Sequence, residues 1–270
     1  AARRVVEEAR EEVAALVGAD PALIVFTSGG TEANNQAIAV ASGSVAVSSV
    51  EHVSVLSVVP GSRRIAVDAA GVVCLDDVRR VLATGPALIS VMLANNETGV
   101  LQPVCEVAAM AHEAGVLVHC DAVQAAGRIS IDMKALGVDL LTLSAHKIGG
   151  PQGVGALIGV AGGEMSRFMH GGSQERHRRA GTENVPGIAG FGVAAGIAKE
   201  ALTAGMQSIT QLRDALERGV MEIAPGHVIH GAAAPRLSNT SCIGLAGTRG
   251  DVQVIALDLA GVAVGSGAAC

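Results

Sequence analysis

Tryptophan and tyrosine are absent from this sequence, and phenylalanine occurs only three times in 270 residues. Proteins that hold single-stranded nucleic acid stack bases on aromatic rings, so that mode of binding lacks its platforms here. Positive charge is scarce as well: 19 Lys and Arg against 25 Asp and Glu leave a formal net charge of −6. No broad basic face is therefore expected for a phosphate backbone, and the short run Arg176-His177-Arg178-Arg179 reads as a solvated face. Cysteine is sparse and scattered, at Cys74, Cys105, Cys120, Cys242 and Cys270, with no CxxC pair. Such a set fits a reducing compartment, not a disulfide framework or a zinc site. A basic-then-apolar leader is missing. The longest apolar stretch, Val185 to Ala198, is short and Gly-rich for a bilayer span. These absences predict a cytoplasmic protein that engages neither a membrane nor nucleic acid directly.

What is present is aliphatic. Apolar residues make up 50% of the chain and charged ones 16%, enough to exclude disorder and to build a large core. Short β-branched runs alternate with helical patterns, as expected for parallel strands joined by crossover helices. The expected strands are Leu23–Phe26, Val45–Ser48, Arg64–Val67, Ala87–Leu93, Val116–Cys120, Leu140–Leu143 and Val154–Ile158. Helices are expected at Thr31–Val40, Leu75–Leu82 and Val104–Ala114, and from about Pro186 to Ala224, where a Gly/Ala-rich start predicts close helix packing. A later module reads as strand Leu237–Ile243, helix Asp251–Leu259 and strand Val262–Val264. The division expected is a large domain over 1–224, bridging helices included, and part of a smaller α+β domain over 225–270. The chain opens inside an amphipathic pattern, AARRVVEEAR, and stops on a loop, which reads as a piece of a longer protein.

Three stretches carry chemistry. In LLTLSAHKIGGPQG, from Leu140, a buried-looking strand runs straight into Ser144, His146 and Lys147. A lysine at such a place either keeps its head in water or serves as an amine that forms a Schiff base with a carbonyl cofactor. In HCDAVQ, from His119, Asp121 stands at the carboxyl edge of a strand, where open parallel sheets bind ligands. It could cap the next helix, or keep a pyridinium nitrogen protonated as part of an electron sink. Together Lys147 and Asp121 point to a pyridoxal phosphate site. In FTSGGTEANN, from Phe26, a strand ends in a Gly-rich turn before a helix, an anion site by its free N–H groups and dipole. Neither nucleotide fingerprint, GxxxxGK[ST] or GxGxxG, is present there.

FTSGGTEANN, VEHVSVL, ANNETGVLQP, HCDAVQAAG, SAHKIGGPQGVGAL, RRAGTEN and GSGAAC follow one another in this order. That series resembles the NifS/IscS-like cysteine desulfurases, in the class V branch of pyridoxal phosphate fold type I, over essentially the whole chain from about Val17. The resemblance implies an α/β three-layer fold like that of aspartate aminotransferase, with a mostly parallel sheet in the large domain. It also implies pyridoxal 5′-phosphate as cofactor and roles for the matching residues. Lys147 would carry the cofactor and then move protons, Asp121 would pair with the pyridine nitrogen, and His52 would stack on the ring and assist proton transfer. Asn96 and Gln124 would bond the ring oxygen. Gly30, Thr31, Ser144 and His146 would hold the phosphate, and Thr182 would reach the phosphate of the neighbouring subunit of a homodimer.

By the same resemblance Cys270 is the nucleophile. Its thiolate would take sulfur from L-cysteine as a persulfide, leaving L-alanine, and hand it to an acceptor protein of iron–sulfur assembly or tRNA thiolation. A loop of small residues would give that thiol reach. The other four cysteines lie in helix or strand patterns and read as core thiols. An Arg that clamps the substrate carboxylate is expected beyond Cys270. Two other readings stand beside this one: a related class V enzyme, a selenocysteine lyase or an aminotransferase, and a non-catalytic scaffold of the same fold. The aminotransferase meets the objection that transamination needs no thiol, the scaffold that it need not keep Lys147, Asp121, His52 and Cys270 together.

Overall fold

The computed structural model describes residues 1–159 and 167–267. Seven strands form one sheet: β1 (Ile24–Thr27), β2 (Val45–Ser48), β3 (Arg63–Ile65), β4 (Leu88–Ser90), β5 (Leu117–Asp121), β6 (Leu140–Ser144) and β7 (Gly155–Ile158). Their order is β1-β7-β6-β5-β4-β2-β3. The pairs from β6 through β3 are parallel, whereas β7 runs antiparallel to both β1 and β6. Alternation along the strands sends neighbours to opposite faces. Val45, Val47, Leu140 and Leu157 face one cluster with Ala33, Ala37 and Val55. Ala46, Val118, Cys120, Leu141 and Ile158 face the larger cluster on the other side. A sheet between two helical layers is the expected three-layer α/β fold.

The helices are α1 (Ala2–Val17), α2 (Gly30–Ala39), α3 (Val53–Leu56), α4 (Leu75–Leu82), α5 (Val104–Glu113), α6 (Met133–Leu136), α7 (Val185–Ala204), α8 (Gln207–Ile223) and α9 (Gly250–Leu259). The expected close packing is found where α7 meets α1: a Cβ on Gly192 would stand 2.6 Å from Ala9 Cα. By length and hydropathy alone α7 could cross a membrane, so the apolar stretch is longer than the sequence reading allowed. Ile188, Phe191 and Ala195 of this helix nevertheless belong to the core cluster that includes α1. Burial in the core accounts for that face of the helix, whereas Val193 and Ile197 on another face are exposed.

Two expected strands are not strands. Between Leu237 and Ile243 only the last residue pairs, in a two-stranded ribbon of β8 (Val228–Ile229) and β9 (Ile243–Gly244). The intervening Ser, Asn and Thr side chains offer bonds that compete with a ladder: Ser238 Oγ accepts from Thr210 at 2.9 Å and Ser241 Oγ donates to Glu217 at 2.8 Å. The backbone of Leu237 donates to Gly99 and accepts from Arg213. Val262–Val264 has no strand beside it among the described residues and is half exposed. The reading of the remaining cysteines as core thiols also holds only in part. Cys120 is buried, Cys74 and Cys242 are half-buried, and Cys105 is exposed on α5.

Candidate active site

The site is assembled at the carboxyl ends of the parallel strands. After β1, the hydroxyl of Thr27 donates to Gly29 O at 2.9 Å and folds the chain back. Gly29 sits at φ 154°, ψ 178°, a conformation that side-chain-bearing residues rarely adopt. Gly30 then opens α2, and a Cβ on it would stand 3.0 Å from Val123 Cγ2 and 3.4 Å from Ser144 Cβ. Side chains that follow β5 and close β6 approach this position so closely that a larger residue would have to push Val123 aside. Glu32 accepts from Ser28 N–H at 2.8 Å and pairs with Arg179 at 2.8 Å. Burial alone would raise the Glu32 carboxyl, but these donors hold it below the usual carboxylate range. The first-turn N–H groups of α2 are left to face a ligand.

On β5, Val118 and Cys120 face the larger core, so His119 and Asp121 face α2. Asp121 is buried. Its Oδ2 accepts from Asn34 Nδ2 at 2.7 Å and its Oδ1 from Val123 N–H at 2.9 Å. Burial raises its proton affinity, while Asn34, the Val123 amide and the charges of His52 and Lys147 oppose that rise. Asn34 also donates to Ser54 Oγ at 2.8 Å, and Ser54 Oγ lies 2.8 Å from His52 Nδ1. The Ser54 amide donates to the same ring nitrogen, so a neutral His52 carries its proton on Nε2. A continuous polar line therefore runs from His52 to Asp121.

On β6, Ser144 bonds His146 Nδ1 at 2.9 Å, and the 3-10 turn Ala145–Ile148 carries Lys147. Burial, and the neighbouring lysine charge, lower the proton affinity of His146. Gly30, Thr31, His52, Asn96, Asp121, Gln124, Ser144, His146 and Lys147 all line one pocket that encloses about 620 Å³ of space open to solvent. Nine expected site residues, drawn from five separate stretches of sequence, thus come together. Thr182 does not: it lines a second cavity with Glu175 and Arg179. Cys270 lies outside the described residues.

The whole chain, residues 1–270, matches the class-V aminotransferase family. A cysteine desulfurase of Sinorhizobium fredii is 42% identical across 97% of this chain and 72% of its own length. One from Bradyrhizobium diazoefficiens is 44% identical across 98% of this chain and 71% of its own. Among solved structures, a NifS-like protein from Rickettsia africae superposes with a TM-score of 0.94 at 35% identity, covering 98% of this chain and 77% of that one. The chain belongs to the cysteine desulfurases of the class-V aminotransferase family. These are pyridoxal-phosphate enzymes, and the pocket suits that group: an amine and a buried carboxylate share it with a glycine-lined helix start. Asn34 Oδ1, buried beside them, has no donor of its own.

The desulfurase site also rests on residues that the sequence reading passed over. Asn34 and Ser54 form the middle of the line from His52 to Asp121. The signal was an amide between Ala33 and Ala37 on the buried side of α2. Arg128 donates to the carbonyls of Gln124 at 2.9 Å and Lys147 at 3.0 Å, tying two pocket segments together. Glu51, one residue before His52, is buried, and its Oε1 accepts from Met92 N–H at 2.5 Å. His119 is wholly buried between Ser90 Oγ at 2.9 Å and Thr142 Oγ1 at 3.0 Å, and burial lowers its pKa to about 3. It is therefore a neutral hydrogen-bonding group at ordinary pH.

Proposed function

We propose that the pocket holds pyridoxal 5′-phosphate and that its residues divide the work of desulfuration as follows. Lys147 attaches to the cofactor and afterwards carries protons between substrate carbon and solvent. Asp121 keeps the ring nitrogen protonated, and His52 stacks on the ring, its orientation fixed by Ser54. Asn96 and Gln124 bond the ring oxygen, while Gly30, Thr31, Ser144 and His146 surround the phosphate at the start of α2. Thr182 serves the phosphate of the neighbouring subunit in a homodimer, in keeping with its place away from the pocket. The bound cofactor supplies a sink for the electrons left when the substrate loses its α-proton. Cys270 then takes the sulfur: the carbon–sulfur bond of cysteine breaks, a sulfur–sulfur bond forms on Cys270, and alanine leaves.

The observation that carries this reading is the meeting of Lys147 and buried Asp121 in one pocket beside the glycine-lined start of α2. The sulfur acceptor is a protein of iron–sulfur assembly or tRNA thiolation, and the setting is the cytoplasm, in keeping with the free cysteines among the described residues. The large domain ends near residue 224. Beyond it the chain forms its own two-stranded ribbon and α9 buries none of its residues, with Leu237 anchoring the segment in the core of the large domain. The test supplies cysteine to the purified full-length protein and measures alanine and sulfide under a reductant. Equal yields that vanish in Lys147→Ala and Cys270→Ala are expected. Alanine release that survives loss of Lys147 would overturn the assignment.

A further inference from the structure

Two buried carboxyl groups lie behind the pocket, and the mechanism above uses only one. Asp121 is surrounded by donors and positive charge: Asn34, the Val123 amide, and the charges of His52 and Lys147. Glu51 has the opposite setting. One oxygen takes the Met92 amide, and the other is buried with no hydrogen-bond partner. Two negative charges in one low-dielectric region repel strongly, so the pair retains a proton on the member with fewer donors. That member is Glu51. Burial, then the charge of Asp121, push it up to about 8, with the Met92 amide and the nearby Ser48 and Ser90 hydroxyls opposing. The other titratable groups around it are Cys120, whose thiol is raised by burial and by both carboxyls, neutral His119 beyond Ser90, and His52 next in the chain.

Its position gives this proton a use. The loop that carries His52 meets the end of β4, where Met92 and Asn96 line the pocket. Among the described residues two side chains bridge these segments by hydrogen bonds: Glu51 to the Met92 amide, and Asn95 Nδ2 to the Val50 carbonyl at 3.1 Å. We propose that Glu51 is a positioning residue of the desulfurase site: as an uncharged acid it fastens the His52 loop to the end of β4 and leaves Asp121 as the charged carboxylate behind the pocket. The second half of this inference rests on the role given to Asp121 above; the first half does not.

The decisive measurement needs no cofactor. In the cofactor-free chain with isotope-labelled glutamate at pH 7, infrared difference spectra should show the carbonyl band of an un-ionised acid that disappears in Glu51→Gln. A carboxylate band alone would overturn the proposal. In the holoenzyme, Glu51→Gln, which copies the neutral acid, should retain most of the wild-type rate at pH 7. The wild type should change in rate and cofactor absorbance near pH 8, and Glu51→Gln should lose that change. Glu51→Ala, which removes the fastening, should lose about ten- to a hundredfold in rate through misplacement of His52. Equal damage from Gln and Ala, or an unchanged alkaline limb in Glu51→Gln, would overturn it. If instead Asp121→Asn left the cofactor spectrum untouched, the role of Asp121 would fall while the acid band of Glu51 stood.

Discussion

Breaking the buried ion pair between Arg10 and Glu175 should unfold the chain far more readily than removing both charges together. Each side chain is 2% exposed, and the pair is bidentate, with Nη1–Oε2 at 2.9 Å and Nη2–Oε1 at 3.1 Å. Arg10 also donates to Ile24 O at 2.7 Å and lies 4.8 Å from the centre of the Phe26 ring, while Glu175 accepts from Phe26 N–H at 2.9 Å. In Glu175→Gln the buried guanidinium keeps only the looser, half-exposed pair with Glu7 at 3.4 Å, a loss of up to about 3–5 kcal/mol. In a chain of this size that lowers the melting temperature by about 6–10 °C. Arg10→Met should cost a similar amount by stranding the carboxylate. The double variant keeps an acceptor for the Phe26 amide and strands no charge, so it should recover most of the loss. Urea unfolding of the four proteins at pH 7 gives the coupling directly. Additive losses would refute the reasoning. The same pair holds a turn in which Glu175, Arg176 and His177 have φ of 44°, 56° and 67°, left-handed values that disfavour non-glycine residues. Loss of the pair should therefore also loosen the segment leading to Arg179 and Thr182.

Two other outcomes follow from the site. His119 binds a proton near pH 3 when folded, against an ordinary value of 6.5. The unfolded chain therefore takes up protons first, and stability should fall by up to about 4 kcal/mol as pH drops from 6.5 towards 3. His119→Gln should flatten that acid limb in melting curves; an unchanged limb would sink the assignment. Gly155→Ala should cost about 1–3 kcal/mol and weaken cofactor binding in a fluorescence titration, because its Cβ would stand 2.6 Å from Gly29 C and 2.7 Å from Leu143 O. Full stability and affinity in this variant would show that the strands there have room to spare.

The alternation of Val, Ile and Leu made the strands readable because period-2 burial is written directly in the sequence. Direction is not. Val154–Ile158 looks like its parallel neighbours, and only the register of Gly155 against Thr27 and Ser144 shows that it is reversed. The pocket-lining residues were legible because Lys147, Asp121, His52 and the glycine turn are conspicuous features at strand ends. Asn34, Glu51 and Arg128 were not, since their work is to bond other protein groups, and a partner 87 or 41 residues away leaves no local mark. The segment after Leu237 misled for the opposite reason: its apolar ends suggested a strand, while its Ser238 and Ser241 side chains bond Thr210 and Glu217 of α8 instead.

The reversed strand has a consequence for the birth of the protein. β1 joins the sheet only through β7, so Ile24 must wait for Ile158, a partner far along the chain. At a synthesis rate of roughly 5–20 residues per second, that interval lasts on the order of ten seconds. Until then the apolar strand that leads into the glycine turn has no ladder to enter, while β2, β4, β5 and β6 can already assemble from nearer partners. The half-made chain can thus lay down the middle of its sheet before β1 has its place, and β1 is the segment a ribosome-associated chaperone has most reason to shield.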